Sequence, residues 1–312
     1  MVLAGKGGLT MANCQAPLTG LTPINDLGIG TYLGFGGGFY PGGLNRPPLP
    51  HYGAGRNIAD ALAAELFAGN PFAFAAIGFS GTARTWTQFE PLWNAHPHTS
   101  KAIKLLNLTR GGIGADALAA PTHWYWTTHV PAELAAQQAA PGDVRVVWVQ
   151  TGLDSTAAFP ANAQALQAYL VTALQTIKAQ FPNCRIAYLT SAHYQGFSTP
   201  NPGREPRLNY EQAWGIKWTI EQQIAGDAAL AFHGAGTVAP WLGWSGYGWA
   251  DGDTPRFDGH FMSCPADFAP DGQHPSVAGA IKLASVLFND LLDDWVAKAW
   301  MLDGPATGDP CI

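Results

Sequence analysis

Residues 72–79 (FAFAAIGF) are an unbroken apolar run, closed by Ser80, Gly81 and Thr82. The run is far shorter than the roughly 18 apolar residues that a membrane span requires. It also lacks the polar alternation of a half-solvated strand. This pattern predicts a strand buried on both faces, as in a parallel sheet covered by helices. Residues 102–108 (AIKLLNL), 144–150 (VRVVWVQ) and 185–190 (RIAYLT) read as further strands. Helical spacing of apolar residues predicts helices over 57–68, 82–93, 160–181, 209–225 and 276–299. In the third of these, Pro160 falls near the first turn and Leu166, Leu170, Leu174 and Ile177 share a face. Strands alternating with helices predict an α/β sandwich with a mostly parallel sheet. Residues 17–55 are dense in Gly and Pro and read as an irregular segment packed by its own aromatics. With no internal repeat and no linker, the 312 residues read as one domain.

Composition narrows the class. Charged residues make up 12% and hydrophobic ones 47%, which excludes disorder and a coiled coil. The net charge of −6 leaves no basic footprint for nucleic acid. Few charges with 37 Gly and 12 Trp fit an extracellular enzyme better than a cytosolic one. Residues 1–16 have no continuous apolar core and do not read as a signal peptide. The four cysteines contain no CxxC pair, so a zinc ribbon and a thioredoxin-type motif are absent. An even count fits two disulfides in three pairings. Cys14 and Cys311, near the two ends, are one candidate pair, and free buried thiols are the alternative.

Several motifs fail. The glycine run places Phe39 where G-x-G-x-x-G needs its last Gly. No P-loop and no H-E-x-x-H occurs. The pairs His96/His98 and His123/His129 lack a diagnostic metal spacing. Asn107-Leu108-Thr109 matches a glycosylation sequon but, at a strand end, reads as a structural Asn.

Three features carry chemistry. Ser80 follows the first buried strand and precedes a helix, at the end of the sheet where α/β proteins bind ligands. Its alternative role is a helix cap. Asp271 and His274 lie three residues apart on one turn, so the carboxylate can fix the imidazole tautomer and leave the other nitrogen to take a serine proton. Pro275 reads as part of the last helix's first turn, with His274 at its mouth. Gly111 and Gly112 follow the second strand and offer backbone N–H groups suited to an oxyanion hole.

In this order, Ser after the first strand, Gly-Gly after the second and Asp-x-x-His before the last helix, the chain resembles the SGNH (GDSL-type) serine hydrolase family. The resemblance spans about Asn70 to Trp300. Residues 21–55 and 238–270 look like segments of a little-characterised bacterial branch. The resemblance implies a three-layer α/β/α sandwich over 1–312, with 1–55 packed on it as a Gly/Pro-rich segment. It implies Ser80 as nucleophile, His274 as base and Asp271 as acid, with oxyanion donors on Ser80 and Gly112. It implies no metal or organic cofactor. Two blocks depart from the family pattern. The first reads Gly-Phe-Ser, and the third, Trp148 to Asp154, has no Asn. That stretch is similar to the W-x-Q-G-E block of sialate-acetylesterase-type members, which makes Gln150 the third donor. Asp154 is the other candidate, although an ionised carboxylate cannot donate.

The function expected is a serine ester hydrolase, a carboxylesterase or carbohydrate O-acetylesterase, secreted or periplasmic, acting on a small-molecule or glycan ester. One rival is a non-catalytic carbohydrate-binding protein on the same fold, using the many Trp and Tyr. An α/β-hydrolase is disfavoured because Thr82 breaks G-x-S-x-G and the acid lies beside its His. A glycosidase would need paired carboxylates, and no sequence rule pairs Glu90, Asp154, Asp251 or Asp253. Trp124, Tyr125, Trp126, His193, Tyr194, Trp241, Trp244, Tyr247 and Trp249 fall in predicted loops, where most are expected to pack rather than line a cleft.

Overall fold

The structure is a computed structural model that describes residues 12–198 and 206–303. Its centre is a five-stranded parallel sheet built from β3 (Phe72–Gly78), β4 (Ile103–Asn107), β5 (Val144–Gln150), β6 (Ile186–Thr190) and β7 (Trp241–Trp244). The strand order is β4-β3-β5-β6-β7. Strands β1 (Thr31–Tyr32) and β2 (Phe35–Gly36) pair separately as a small antiparallel ribbon.

Helices cover both faces, which makes three layers. Side-chain alternation explains why the strands read as continuously apolar. Ala73, Ala75 and Ile77 of β3 enter one core, while Phe72, Phe74 and Ala76 enter the other. In β5, Val147 and Val149 face the first core and Val146 and Trp148 the second. The first core is closed by α4 (Ala115–Ala119), α6 (Ala161–Gln180) and α7 (Pro206–Ile224). The second is closed by α2 (Leu49–Phe67), α3 (Ser80–Ala95), α8 (Val277–Asp293) and α9 (Trp295–Met301). In it Trp86, Phe89, Trp93 and Trp300 pack with Phe74 at ring-centroid distances of 5.0–6.1 Å. Two further helices are short, α1 (Ile24–Leu27) and α5 (Val130–Ala136).

Several expectations need correction. Helix α2 starts at Leu49, not 57, because Pro50 suits its first turn and Gly55 inside it gives room to the Trp241 ring. A Cβ on Gly55 would stand 2.5 Å from that ring. The last helix is two helices. Asp294 interrupts it, accepting from the N–H groups of Val296 and Ala297 as the cap of α9. Trp241–Trp244, expected in a loop, is the fifth strand and is buried. As expected, Tyr125, Trp126, Tyr194, Tyr247 and Trp249 are buried as packing residues, whereas Trp124 is 46% exposed. Cys14 is bridged to Cys264 rather than to Cys311, which lies outside the described residues, and Cys184 is free and buried. No helix among the described residues is long and apolar enough to cross a membrane.

Candidate active site

The five parallel strands, numbered by order of appearance, run 2-1-3-4-5. That order reverses direction between β3 and β5, and a ligand crevice is expected outside the C-terminal ends at such a point. A cavity of about 190 Å³ opens there, and Ser80, Gly112, Gly152 and His274 all line it.

Ser80 reaches the crevice through a tight turn. Gly78 has φ +146°, and a Cβ there would lie 2.0 Å from the Gln150 carbonyl oxygen. Phe79, extended, takes the cap position of α3 and makes no side-chain cap. Ser80 is therefore the first helical residue, and its hydroxyl is not used for capping. Its Oγ lies 2.7 Å from His274 Nε2. His274 Nδ1 lies 2.7 Å from Asp271 Oδ2. A nitrogen facing a carboxylate at that distance carries the proton. Nδ1–H therefore donates to Asp271, and bare Nε2 accepts from the Ser80 hydroxyl.

The turn that holds Asp271 and His274 is fixed from several sides. Asp271 Oδ1 accepts the N–H groups of Gln273 and His274, each at 2.9 Å. Gly272 has φ +66°, and a Cβ there would meet the Phe197 carbonyl oxygen at 2.1 Å. Arg84, one turn after Ser80 on α3, donates to the Pro275 carbonyl at 2.8 Å. Helix α8 begins only at Val277, with Ser276 as its cap, so Pro275 precedes the helix instead of opening it. Partial burial by itself would raise the Asp271 pKa. The bonds from the His274 and Gln273 N–H groups, with the His274 ring, outweigh it and hold the carboxyl below its usual value.

His193, read from sequence only as a loop aromatic, is fully buried behind this turn, with Nε2 2.9 Å from the Gln273 carbonyl oxygen. Burial lowers its pKa to about 4. It is therefore neutral at physiological pH, and Nε2–H donates to that carbonyl. No spacing rule singles out His193 or Arg84, because each acts through a main-chain carbonyl.

The sequence-derived oxyanion donors divide. Gly112, at φ +80°, lines the cavity, and a Cβ on its neighbour Gly111 would stand 3.7 Å from Ser80 Cβ. The Ser80 N–H, in the first turn of α3, has no intrahelical partner. Gln150 is not brought to the cavity. It is 1% exposed, and its Nε2 donates to the Ser191 carbonyl at 3.2 Å. It is the last residue of β5 and its amide is bonded just past the end of β6, while Asp154, four residues on, lines the cavity. The rest of the lining is mixed, with Asp116, Gln195, Asn209 and Gln212 set among apolar Phe79, Ile113, Leu153 and Ala192.

No family model and no curated protein matches this sequence. Among solved structures the chain is similar to a family two carbohydrate esterase from Clostridium thermocellum, at 11% identity and TM-score 0.38, over 70% of this chain and 63% of that one. It is also similar to the lipopolysaccharide acetyltransferase periplasmic domain of Salmonella ser. Paratyphi A, at 11% identity and TM-score 0.41, over 78% and 100%. A gut microbial diltiazem-metabolizing enzyme aligns at 12% identity and TM-score 0.36, over 70% and 46%. The chain thus spans less than two thirds of the carbohydrate esterase and of the diltiazem-metabolizing enzyme.

Proposed function

We propose that this protein is a serine ester hydrolase of SGNH type that cleaves short acyl esters of polar, carbohydrate-like alcohols. The observation that carries the reading is the hydrogen-bonded relay Ser80–His274–Asp271, with two successive bonds of 2.7 Å. Ser80 Oγ attacks the ester carbonyl carbon while its proton passes to His274 Nε2. The carbonyl oxygen becomes an oxyanion held by the N–H groups of Ser80 and Gly112. As the tetrahedral intermediate collapses, the C–O bond to the alcohol breaks and His274 returns the proton to the departing oxygen. Water, deprotonated by His274, then hydrolyses the acyl-serine. Asp271 stays ionised throughout and orients the ring.

The lining supports the substrate class. A long acyl chain requires an apolar channel. Here a small cavity of about 190 Å³ sets Phe79, Ile113, Leu153 and Ala192 among carboxamides and carboxylates, with room for a short acyl group only. Such walls suit an acetyl group and a hydroxyl-rich alcohol. The Cys14–Cys264 disulfide supports work in an oxidising compartment, outside the cytosol.

The test uses p-nitrophenyl acetate, p-nitrophenyl octanoate and acetylated xylan. The acetate is expected to be cleaved with at least ~10-fold higher kcat/KM than the octanoate. Ser80→Ala should lower kcat by ~10³-fold or more while leaving the melting transition in place. Full activity in Ser80→Ala would remove Ser80 from the chemistry. Preference for octanoate would overturn the substrate class.

A further inference from the structure

A second cavity, of about 340 Å³, lies between the Gly-rich segment, the start of α2 and the α8–α9 junction. It shares no lining residue with the cavity at Ser80. Asp290, on its wall, is thirteen residues along α8 from Val277, about 20 Å at the helical rise. Its walls combine aromatic rings, from Phe39, Tyr52, Trp244 and Trp295, with the carboxylates of Asp290 and Asp293.

Two buried donors in this lining have no acceptor among the described residues. Trp244 is 7% exposed and its indole N–H is unpartnered. Tyr40 is 3% exposed. Its hydroxyl accepts the Trp244 backbone N–H at 3.0 Å, and no bond uses its own proton. Buried Tyr O–H groups ordinarily find an acceptor, and the Tyr40 proton is free to bond to an occupant of the cavity. An acceptor is in place as well. Asp290 accepts the Gly246 N–H at 2.8 Å with one oxygen, and no bond to the described chain uses the other. Asp294 is different. Its two oxygens are occupied by Tyr188 and by the N–H groups of Val296 and Ala297, so it holds the fold together.

Each class of occupant makes different demands. An apolar ligand would strand the Asp290 carboxylate and the Tyr40 hydroxyl proton without partners. An organic cation would pair with the carboxylates but would be opposed by Arg46 on the same lining. A neutral ring bearing several hydroxyls accepts from the Tyr40 hydroxyl and donates to the second Asp290 oxygen. Each hydroxyl both donates and accepts, and the C–H faces pack on aromatic rings. The volume falls within the range of small-molecule pockets.

We propose that this cavity binds a neutral hexose residue, free or at the end of a glycan, at a site remote from the Ser80 crevice. The site does not depend on the ester chemistry. It is tested in the full chain carrying Ser80→Ala, so that no turnover occurs. Tryptophan fluorescence and calorimetric titrations would use glucose, galactose, N-acetylglucosamine, cellohexaose and, as the cationic arm, choline. At least one saccharide is expected to bind with a Kd of about 10 mM or tighter. Trp295→Ala and Tyr40→Phe should each weaken that binding by ~10-fold or more. Binding of monosaccharides would indicate a free sugar, and binding of cellohexaose alone a glycan end. With Ser80 restored, Trp295→Ala should hydrolyse p-nitrophenyl acetate at the wild-type rate, which separates this site from the proposed esterase site. Trp295 is only partly buried, so its variant is expected to fold, and a melting curve checks this. The proposal is overturned if no saccharide binds by about 100 mM, if choline binds in preference, or if folded Trp295→Ala binds as tightly as the parent.

Discussion

Ser80 sits where a strand turns into a helix, a place where serine normally caps the helix by accepting a backbone N–H. Its hydroxyl instead faces His274 Nε2 at 2.7 Å, and the capping position falls to Phe79. This pairing was legible in the sequence because Asp-x-x-His is a local pattern and Ser80 directly follows an unmistakable strand. The third oxyanion donor was not legible, because the type of Gln150 suits donation but its direction depends on the pleat of β5. Its amide is already bonded to the Ser191 carbonyl, and its Oε1 is buried without a partner. Gln150→Leu removes both groups together, so kcat on p-nitrophenyl acetate is expected to stay within about threefold of wild type. A true oxyanion donor would cost 10²–10³-fold, and steady-state kinetics distinguishes the two. His193 and Arg84 were invisible for another reason. They grip the Asp271–Pro275 turn through carbonyl oxygens, which any residue type supplies.

Elements buried on both faces were the most legible. β3 and β5 were expected to within a residue because their alternating sides enter two different cores. β7 was hidden by its length of four residues and by the flanking Pro240 and central Gly243. The α8–α9 break was hidden because apolar periodicity continues across it, while the cap that makes the break is one aspartate. The turn between Pro270 and Ser276 depends most on a single backbone position. Gly272 has a left-handed φ, and the Phe197 carbonyl leaves no room for a Cβ. In Gly272→Ala the turn must move, and a displacement of about 1 Å at His274 is expected to lower kcat/KM by ~10²-fold. A wild-type rate in that variant would mean that the turn does not set the imidazole's position.

At the scale of the molecule, strand order could not be read from the sequence, since it depends on which edges the crossovers reach. The 2-1-3-4-5 order puts Ser80 and Gly112 at the reversal between β3 and β5, the crevice that such sheets offer to ligands. The disulfide partner was not legible either. Proximity of chain ends favoured Cys311, whereas Cys14 joins Cys264, a few residues before Asp271. Residues 12 and 13 reinforce that link, the Ala12 N–H donating to the Pro270 carbonyl and the Asn13 N–H to that of Phe197. The bridge closes a loop across a sequence separation of 250, and in the chain-entropy model such closure stabilises by up to about 5 kcal/mol. Cys14→Ser is expected to lower Tm by roughly 10 °C and to reduce kcat as the His274 turn loosens. Calorimetry with parallel kinetics checks this, and an unchanged Tm would mean that the bridge adds nothing to the fold.

The most direct measurement is covalent trapping with a fluorophosphonate, followed by peptide mass spectrometry. A single adduct is expected on Ser80 in the wild-type protein, and none is expected in Ser80→Ala or His274→Ala. No adduct on Ser80, or equal labelling of Ser80→Ala, would contradict an activated serine at the end of β3.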